Sequence, residues 1–303
     1  MKNKNKLFDE NMLISIFLKA DDLCKYLEKE LINKWLSDGK NICDYKKKSN
    51  LFDSEIMTIL IFYHYSGFKN FEYYYKQLLE NELREYFPKL VSYTRFLELI
   101  ETVALQMFIF SKSLCQEALK TGIYYIDSKK LVVCHNKRIR QHKVFKDKAS
   151  SGKSSTGWFY GFKVHLLINE IGEIVDFDLT PGNVADNNQN ILKRILKNIK
   201  GLCFVGKGYI TKLWGEFYEK GLKIVTKTKK TTKAKLIPLR ERYLLAKRPI
   251  IESVNDIFIS VFDLEHSRHR KPENAFTHMI AAICAYAFYP DKPAIYLPNL
   301  LKN

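Results

Sequence analysis

The spacing of apolar residues divides the chain into a helical first part and a mixed second part. Up to about residue 120, apolar residues recur three and four positions apart, as they do in helices. Residues 56–65 are almost entirely apolar, and residues 92–110 carry a second helical pattern. An aromatic stripe lies between them and ends at Pro88; it consists of Phe71, Tyr74, Tyr75, Leu78, Leu79, Leu83, Tyr86 and Phe87. We interpret the stripe as helical core and not as a platform for stacked bases.

After residue 121 the pattern becomes that of strands. Residues 123–126 and 131–133 are short apolar runs. Residues 161–169 alternate, with Lys163 and His165 on the polar side, and a period of two is typical of a strand. Further strands are predicted at 174–180, 202–205 and 222–226. Helices are predicted around 191–199, 214–218 and 250–261, and the apolar run 279–289 reads as a buried helix.

This order of elements predicts the fold class. Three consecutive strands followed by helix, strand, helix, strand and helix is the order found in ribonuclease-H-like folds. We therefore predict an α/β protein with a ribonuclease-H-like mixed five-strand sheet flanked by helices, preceded by an all-helical N-terminal region. In such a fold the first and fourth strands lie side by side, and acidic residues from both and from a late helix can converge on a pair of divalent ions.

The charge of the chain favours a polyanionic partner. Fifty Lys and Arg residues against 33 Asp and Glu leave a net charge of +17 and a pI near 9.4, and nucleic acid is the commonest partner of such a surface. A lysine-rich genome composition is the alternative explanation. The lysine-rich loop 227–235, which contains Lys229 and Lys230, is predicted to follow a phosphate backbone with little base discrimination.

Targeting and cysteine patterns predict a cytoplasmic protein. The start, MKNKNKLFDEN, is charged and lacks the apolar stretch of a signal peptide. The longest apolar run, 279–289, is shorter than the roughly 20 residues that span a bilayer. The six cysteines have no paired C-x-x-C spacing, which argues against a zinc finger or a disulfide framework.

Two carboxylates are the candidates for metal-dependent phosphodiester chemistry. Mg²⁺ and Mn²⁺ prefer hard oxygen ligands, and two such ions can stabilise both ends of a displacement. Asp127 follows the apolar run 123–126, so a buried strand would fix its carboxylate. Glu252 lies near the start of a predicted helix, one turn after Arg248. The alternative roles are a strand-end turn for Asp127 and a helix-dipole interaction for Glu252.

Several strings, in order along the chain, carry a family resemblance. YYIDSKKLVVCHNKRI, GKSSTGWFYGFKVHLLIN, GEIVDFDLTPGNVAD, GKGYITK, RPIIESVND and EHSRHRKPEN resemble the DDE transposases of bacterial insertion sequences. SEIMTILIFYHYSGFKNFEYYY and FPKLVSYTRF resemble the helical leader of the same family. The resemblance covers about residues 50–295. It implies metal-dependent strand cleavage at element ends and transfer of the 3′ end into target DNA, with Asp127 as the first catalytic aspartate and Glu252 as the catalytic glutamate.

The resemblance also implies a cofactor, partners and a domain division. The expected cofactor is Mg²⁺, with Mn²⁺ able to substitute, bound by Asp127 and Glu252. The expected partner is double-stranded DNA (terminal repeats and target), bound by a homodimer in the cytoplasm at the nucleoid, with no membrane. Residues 1–120 are expected to serve DNA-end binding or assembly, residues 121–295 to form the catalytic domain, and residues 296–303 to form a tail. The residues expected to contact DNA are Lys163, His165, Lys207, Arg248, Arg268, Arg270, Lys229 and Lys230. For His165 the alternative is a structural role. For the EHSRHR cluster the alternative is a solvated helix end.

The sequence departs from the family pattern at two positions. The family reads G-D-K-G-Y-I after the fourth strand, whereas this chain has Gly206 before Lys207 and therefore lacks the second aspartate. Ile259 stands where the family commonly has a lysine. Asp178 and Asp186 are the nearest carboxylates in sequence, but Asp178 belongs to the third strand and Asp186 is expected to lie across the sheet. The chain is thus either an active transposase or a silent DNA-binding derivative; a nuclease of another kind on the same fold is disfavoured by the string matches.

Overall fold

The computed structural model describes residues 8–37, 50–154, 157–227, 237–265 and 269–298. The chain divides into two compact units. Unit 1 comprises residues 1–113 and 261–289, and unit 2 comprises residues 114–260 and 290–303. The helices are α1 (Glu10–Ser37), α2 (Asp53–Tyr65), α3 (Phe71–Tyr74), α4 (Tyr93–Leu99), α5 (Ala104–Glu117), α6 (Gln189–Ile195), α7 (Trp214–Glu219), α8 (Leu239–Ala246), α9 (Ile250–Ser260) and α10 (Pro272–Ala287). The strands are β1 (Ile123–Cys134), β2 (Ser150–Ser154), β3 (Gly157–Asn169), β4 (Ile174–Pro181), β5 (Gly201–Val205) and β6 (Leu222–Thr226).

Unit 1 is helical around the buried helix α2, which contacts α1 and α10. Helix α2 begins where the Glu55 carboxylate accepts a hydrogen bond from the Phe52 backbone N–H at 2.6 Å, which satisfies one of the free donors at a helix start. The aromatic stripe is confirmed as core, since most of its side chains are buried. It does not form one regular helix, because α3 continues as a π-helix from Tyr75 to Glu82.

Unit 2 is built on one mixed sheet with the strand order predicted for the fold. Strand β3 pairs antiparallel with β1 along one edge and with β2 and β4 in succession along the other. Strands β1, β5 and β6 are parallel neighbours. The ribonuclease-H-like class is thereby confirmed, with six strands where five were predicted. Strand β2 was missed because its sequence, SSGKS, has no apolar alternation.

Both faces of the sheet are covered. Tyr124 and Ile126 of β1 belong to an apolar cluster with residues of α6 and α7. Tyr125, which points to the opposite face, stacks on Phe204 at 5.2 Å between ring centroids and donates a hydrogen bond to the Leu244 carbonyl of α8 at 3.1 Å. The central strands therefore hold the residues at their ends in fixed positions.

Gly161 lies where three strands come closest. It pairs with Val132 of β1 and with Ser150 of β2, beside an irregularity in β1 between Val132 and Cys134. A Cβ at this position would lie 1.9 Å from the Leu131 carbonyl oxygen. Only glycine allows this approach of backbone to backbone.

Two further expectations concern cysteines and membranes. The described cysteines, at positions 24, 115, 134, 203 and 284, are free thiols; Cys43 lies outside the described residues. Within the described ranges, no helix combines the length and apolar character that a membrane span requires.

Candidate functional site

The candidate site lies at the carboxyl end of β5, where the parallel pairing of β5 with β1 ends; β1 itself continues to Cys134. Ile126 and Val205 are partners in the parallel pair of these strands, so the residues that follow them, Asp127 and Gly206, are neighbours. Gly206 has φ −72° and ψ 164°, which is ordinary extended backbone that any L-residue adopts. The structure thus brings together the two strand positions that the sequence comparison identified.

Arg248 connects Asp127 to Glu252. Its Nη2 lies 2.9 Å from Asp127 Oδ2, and its Nη1 lies 3.6 Å from Glu252 Oε1. Helix α9 begins at Ile250, so Arg248 precedes the helix and Glu252 lies in its first turn. The Arg248 side chain is 18% exposed and that of Glu252 is 60% exposed. A guanidinium cation therefore sits between the two predicted catalytic carboxylates.

Gly206 lies against the same guanidinium. A Cβ at this residue would be 3.2 Å from Arg248 Nη2 and 3.6 Å from its Cζ. A side chain here would point at the cation that Asp127 and Glu252 already contact. The backbone at Gly206 would accept an aspartate, and its carboxylate would face the Arg248 guanidinium.

Burial raises the pKa of the Asp127 carboxyl, and the charge of Asp186 adds to the rise. The positive charge of Arg248 and a hydrogen bond from the Ser128 backbone act in the opposite direction. Arg248 is therefore the main group that favours the ionised form of Asp127.

Replacing Arg248 by glutamine tests this coupling. We expect a loss of unfolding free energy of about 1–2 kcal/mol near neutral pH, since the ion pair is only partly buried. The variant should raise the pKa of Asp127 further above its unfolded value. A raised folded pKa gives stability that is present at low pH and is lost as the pH rises through it, so the deficit should be smaller at about pH 4 than at about pH 7.5.

Urea unfolding at both pH values measures this loss of unfolding free energy. The control is Arg242→Gln, on the exposed surface of α8, for which we expect the unfolding free energy of the wild-type chain at both pH values. An equal deficit for Arg248→Gln at both pH values would show that Asp127 does not mediate the loss.

Asp186 lies beside the site, contrary to the expectation that it lies across the sheet. Ser128 Oγ donates a hydrogen bond to Asp186 Oδ1 at 2.7 Å, and Lys163 Nζ lies 3.0 Å from the same oxygen. Lys163 also donates to the Val184 carbonyl at 3.0 Å, which ties the segment between β4 and α6 to β3. Sequence spacing contains no signal for the path of that segment. Asp178 is paired with Arg194 instead.

Two residues predicted to contact DNA are buried. His165 is 0% exposed, and its Nε2 lies 3.0 Å from Thr180 Oγ1. Burial lowers the pKa of His165 to about 4, so the ring is neutral at physiological pH and has no surface for DNA. Lys163 is 9% exposed and is engaged by Asp186. Both belong to the interior beneath the site, because β3 is covered on both faces.

Arg248 is only partly exposed, and the other predicted DNA contacts are exposed or lie outside the described residues. Lys207 is exposed directly after Gly206, and Arg270 is exposed in unit 1. Lys229, Lys230 and Arg268 lie outside the described residues. Ile259, where the resemblance predicts a lysine, is half-buried on α9.

The side chains at the site do not fit a pair of divalent cations. Among the described residues, no group of three or more histidine, cysteine, aspartate or glutamate side chains is placed to hold a metal ion. Asp127 and Glu252 share a guanidinium, and Asp186 is held by Lys163 and Ser128. A site for two divalent ions needs more carboxylate oxygen atoms as ligands than this arrangement leaves free.

Comparison with known proteins agrees with the fold. A family model described as a transposase DDE domain matches residues 117–272. No curated protein gives a significant match. The matched range runs from the end of α5, through all six strands, to the start of α10, and it takes up more than half of the chain. The chain belongs to the family of proteins with a transposase DDE domain.

Proposed function

We propose that this transposase binds the DNA ends of an insertion sequence but does not cut them, because its catalytic centre is silenced at Gly206. The observation that supports the proposal is the Arg248 guanidinium, which contacts Asp127 and Glu252 and faces the side-chain-free Cα of Gly206. A cation of the protein itself takes the place between the carboxylates.

The electrostatics of the cluster explain why we expect no DNA cleavage. Two carboxylates and one guanidinium carry a net charge of −1, which attracts a divalent cation weakly. Each ion of a two-metal centre stabilises one end of the displacement, so losing a shared ligand should remove most of the rate. The remaining residues can hold DNA but supply no complete set of ligands for the family's Mg²⁺ or Mn²⁺.

DNA binding is proposed from charge and position. The chain carries a net charge of +17, and the exposed Lys207 and the partly exposed Arg248 are at the site. Such cations contact phosphates and give sequence-independent affinity. We propose double-stranded DNA, both element ends and target, as the partner, a homodimer as the bound form, and the cytoplasm at the nucleoid as the location.

The test compares binding with cleavage on DNA that carries the element's own ends. We expect gel-shift binding of the end duplex and no metal-dependent nicking above the rate without protein, in Mg²⁺ or in Mn²⁺. Nicking by the unmodified chain would overturn the silencing and favour an active enzyme. In that case Asp186, next to Ser128, is the first residue to substitute, because Asp186→Asn would then abolish the nicking.

A further inference from the structure

We propose that unit 2 has a second DNA-binding surface at the end of its sheet opposite to the candidate site, and that it holds the phosphate backbone of a separate duplex. The inference rests on the proposed function in that DNA is the partner. The surface, here called the basic end, is an open cavity of about 810 Å³. Its cations are Lys120, Lys193, Arg194, Lys197, Lys200 and Lys220.

The topology of the sheet gathers these side chains. Lys120 precedes β1, Lys200 precedes β5 and Lys220 precedes β6, and the three strands are parallel neighbours. Their amino ends therefore meet at one end of the sheet, whereas Gly206 follows the carboxyl end of β5 and Asp127 lies beside it, where the pairing of β1 with β5 ends. The five residues of β5 separate Lys200 from Gly206, which is six steps along the chain and about 20 Å at roughly 3.3 Å per residue.

The basic end has cations that are left without partners in the protein. Glu216, the one acidic residue of its lining, binds both Lys193 at 3.0 Å and Lys220 at 2.8 Å. Arg194 is paired with Asp178. Lys120, Lys197 and Lys200 are exposed, and within the described ranges none of the three side chains makes an ion pair or a hydrogen bond. Like charges held this close repel one another until a polyanion neutralises them.

The apolar floor of the cavity fixes the backbone from which these lysines extend. Leu196, Ile199, Phe217 and Leu222 line it and are all buried in the apolar cluster on this face of the sheet. Lysine ammonium groups act as point charges on phosphate and do not read base edges. The arrangement therefore suits duplex DNA of any sequence.

A stoichiometry experiment tests the basic end in the full chain. The probe is a duplex of about 16 base pairs of unrelated sequence, titrated at low salt and followed by sedimentation to count duplexes bound per chain. The variant is Lys120→Gln/Lys197→Gln/Lys200→Gln, in which no ion pair is broken. The charge-matched control is Lys29→Gln/Lys34→Gln/Lys89→Gln, at exposed positions of unit 1.

We expect the basic-end variant to bind one duplex fewer than both the wild-type chain and the control. The slope of log K against log salt should also become shallower by about 2.7, since each lost phosphate contact removes about 0.9. An unchanged count in the variant, or an equal loss in the control, would overturn the inference and leave the proposed function standing. Failure of the wild-type chain to bind either this duplex or the end duplex would overturn the proposed function as well, so the two failures are distinguishable.

Discussion

Gly206→Asp is expected to give the protein metal-dependent nicking at element ends that the unmodified chain lacks. The gain should exceed the 10–100-fold that groups behind the metal ligands usually contribute, because a direct ligand is restored. The backbone accepts the change, since Gly206 has extended φ and ψ and the nearest atom to a new Cβ is the flexible Arg248 Nη2 at 3.2 Å.

The physical reason is the charge of the cluster. A third carboxylate would change the net charge around Arg248 from −1 to −2 and face the same guanidinium as Asp127 and Glu252. A divalent cation then competes better with Arg248 for the carboxylates. Mn²⁺ binding, followed by electron paramagnetic resonance of the free ion, should therefore tighten in the aspartate variant independently of any cleavage.

Gly206→Asn is the matched control, because it has the same shape without the charge. We expect it to bind Mn²⁺ no better than the unmodified chain and to remain inactive. If the aspartate and asparagine variants behave alike, the missing carboxylate is not what silences the centre.

Gly161→Ala is expected to destabilise the protein by more than about 4 kcal/mol, or to prevent unit 2 from folding. A Cβ here would lie 1.9 Å from the Leu131 carbonyl oxygen and 3.2 Å from the Val133 backbone nitrogen. Both atoms belong to the backbone of the central strand β1, which cannot move aside here without breaking its pairing with β3. Effects of this size are exceptional, and a violated backbone geometry is one of the few causes that produce them.

Two other glycine-to-alanine variants provide the scale for that measurement. Gly157 has φ +113° and nothing within 4 Å of a new Cβ, so Gly157→Ala should cost only backbone strain of about 1 kcal/mol. Gly215 lies in α7 with open space around it, so Gly215→Ala should be neutral or stabilising by about 0.5–1 kcal/mol. The free energies of unfolding are compared in urea. If Gly161→Ala is no less stable than Gly157→Ala, the close approach of the strands at Gly161 is contradicted.

The fold was predictable where apolar periodicity controls the element. The alternation in residues 161–169 predicted β3, and the apolar runs predicted β5 and β6, because buried strands need apolar side chains at fixed spacing. The π-helix Tyr75–Glu82 was not predictable, since three- and four-residue spacing does not distinguish it from a regular helix. The alternation of apolar and polar residues also does not show whether other elements pack against the polar side of a strand. The burial of His165 was missed for this reason.

The site was predictable in its residues but not in their contacts. Asp127, Gly206 and Glu252 follow from strand ends and the family strings, and the role proposed for each remains a prediction. The bond from Ser128 to Asp186 and the pairing of Lys163 with Asp186 depend on the path of an irregular segment. Such a path is fixed by tertiary contacts, which no local pattern encodes.

The division of the chain has a consequence for its synthesis. Helix α10 completes unit 1 by packing on α2, yet the whole of residues 114–260 is made between them. Helix α2 ends at Tyr65 and α10 begins at Pro272, so at 5–20 residues per second the apolar surface of α2 is without this partner for about 10–40 s. A ribosome that stalls or terminates within unit 2 would therefore release a helical unit with its core open, and such fragments are targets for chaperones and proteases.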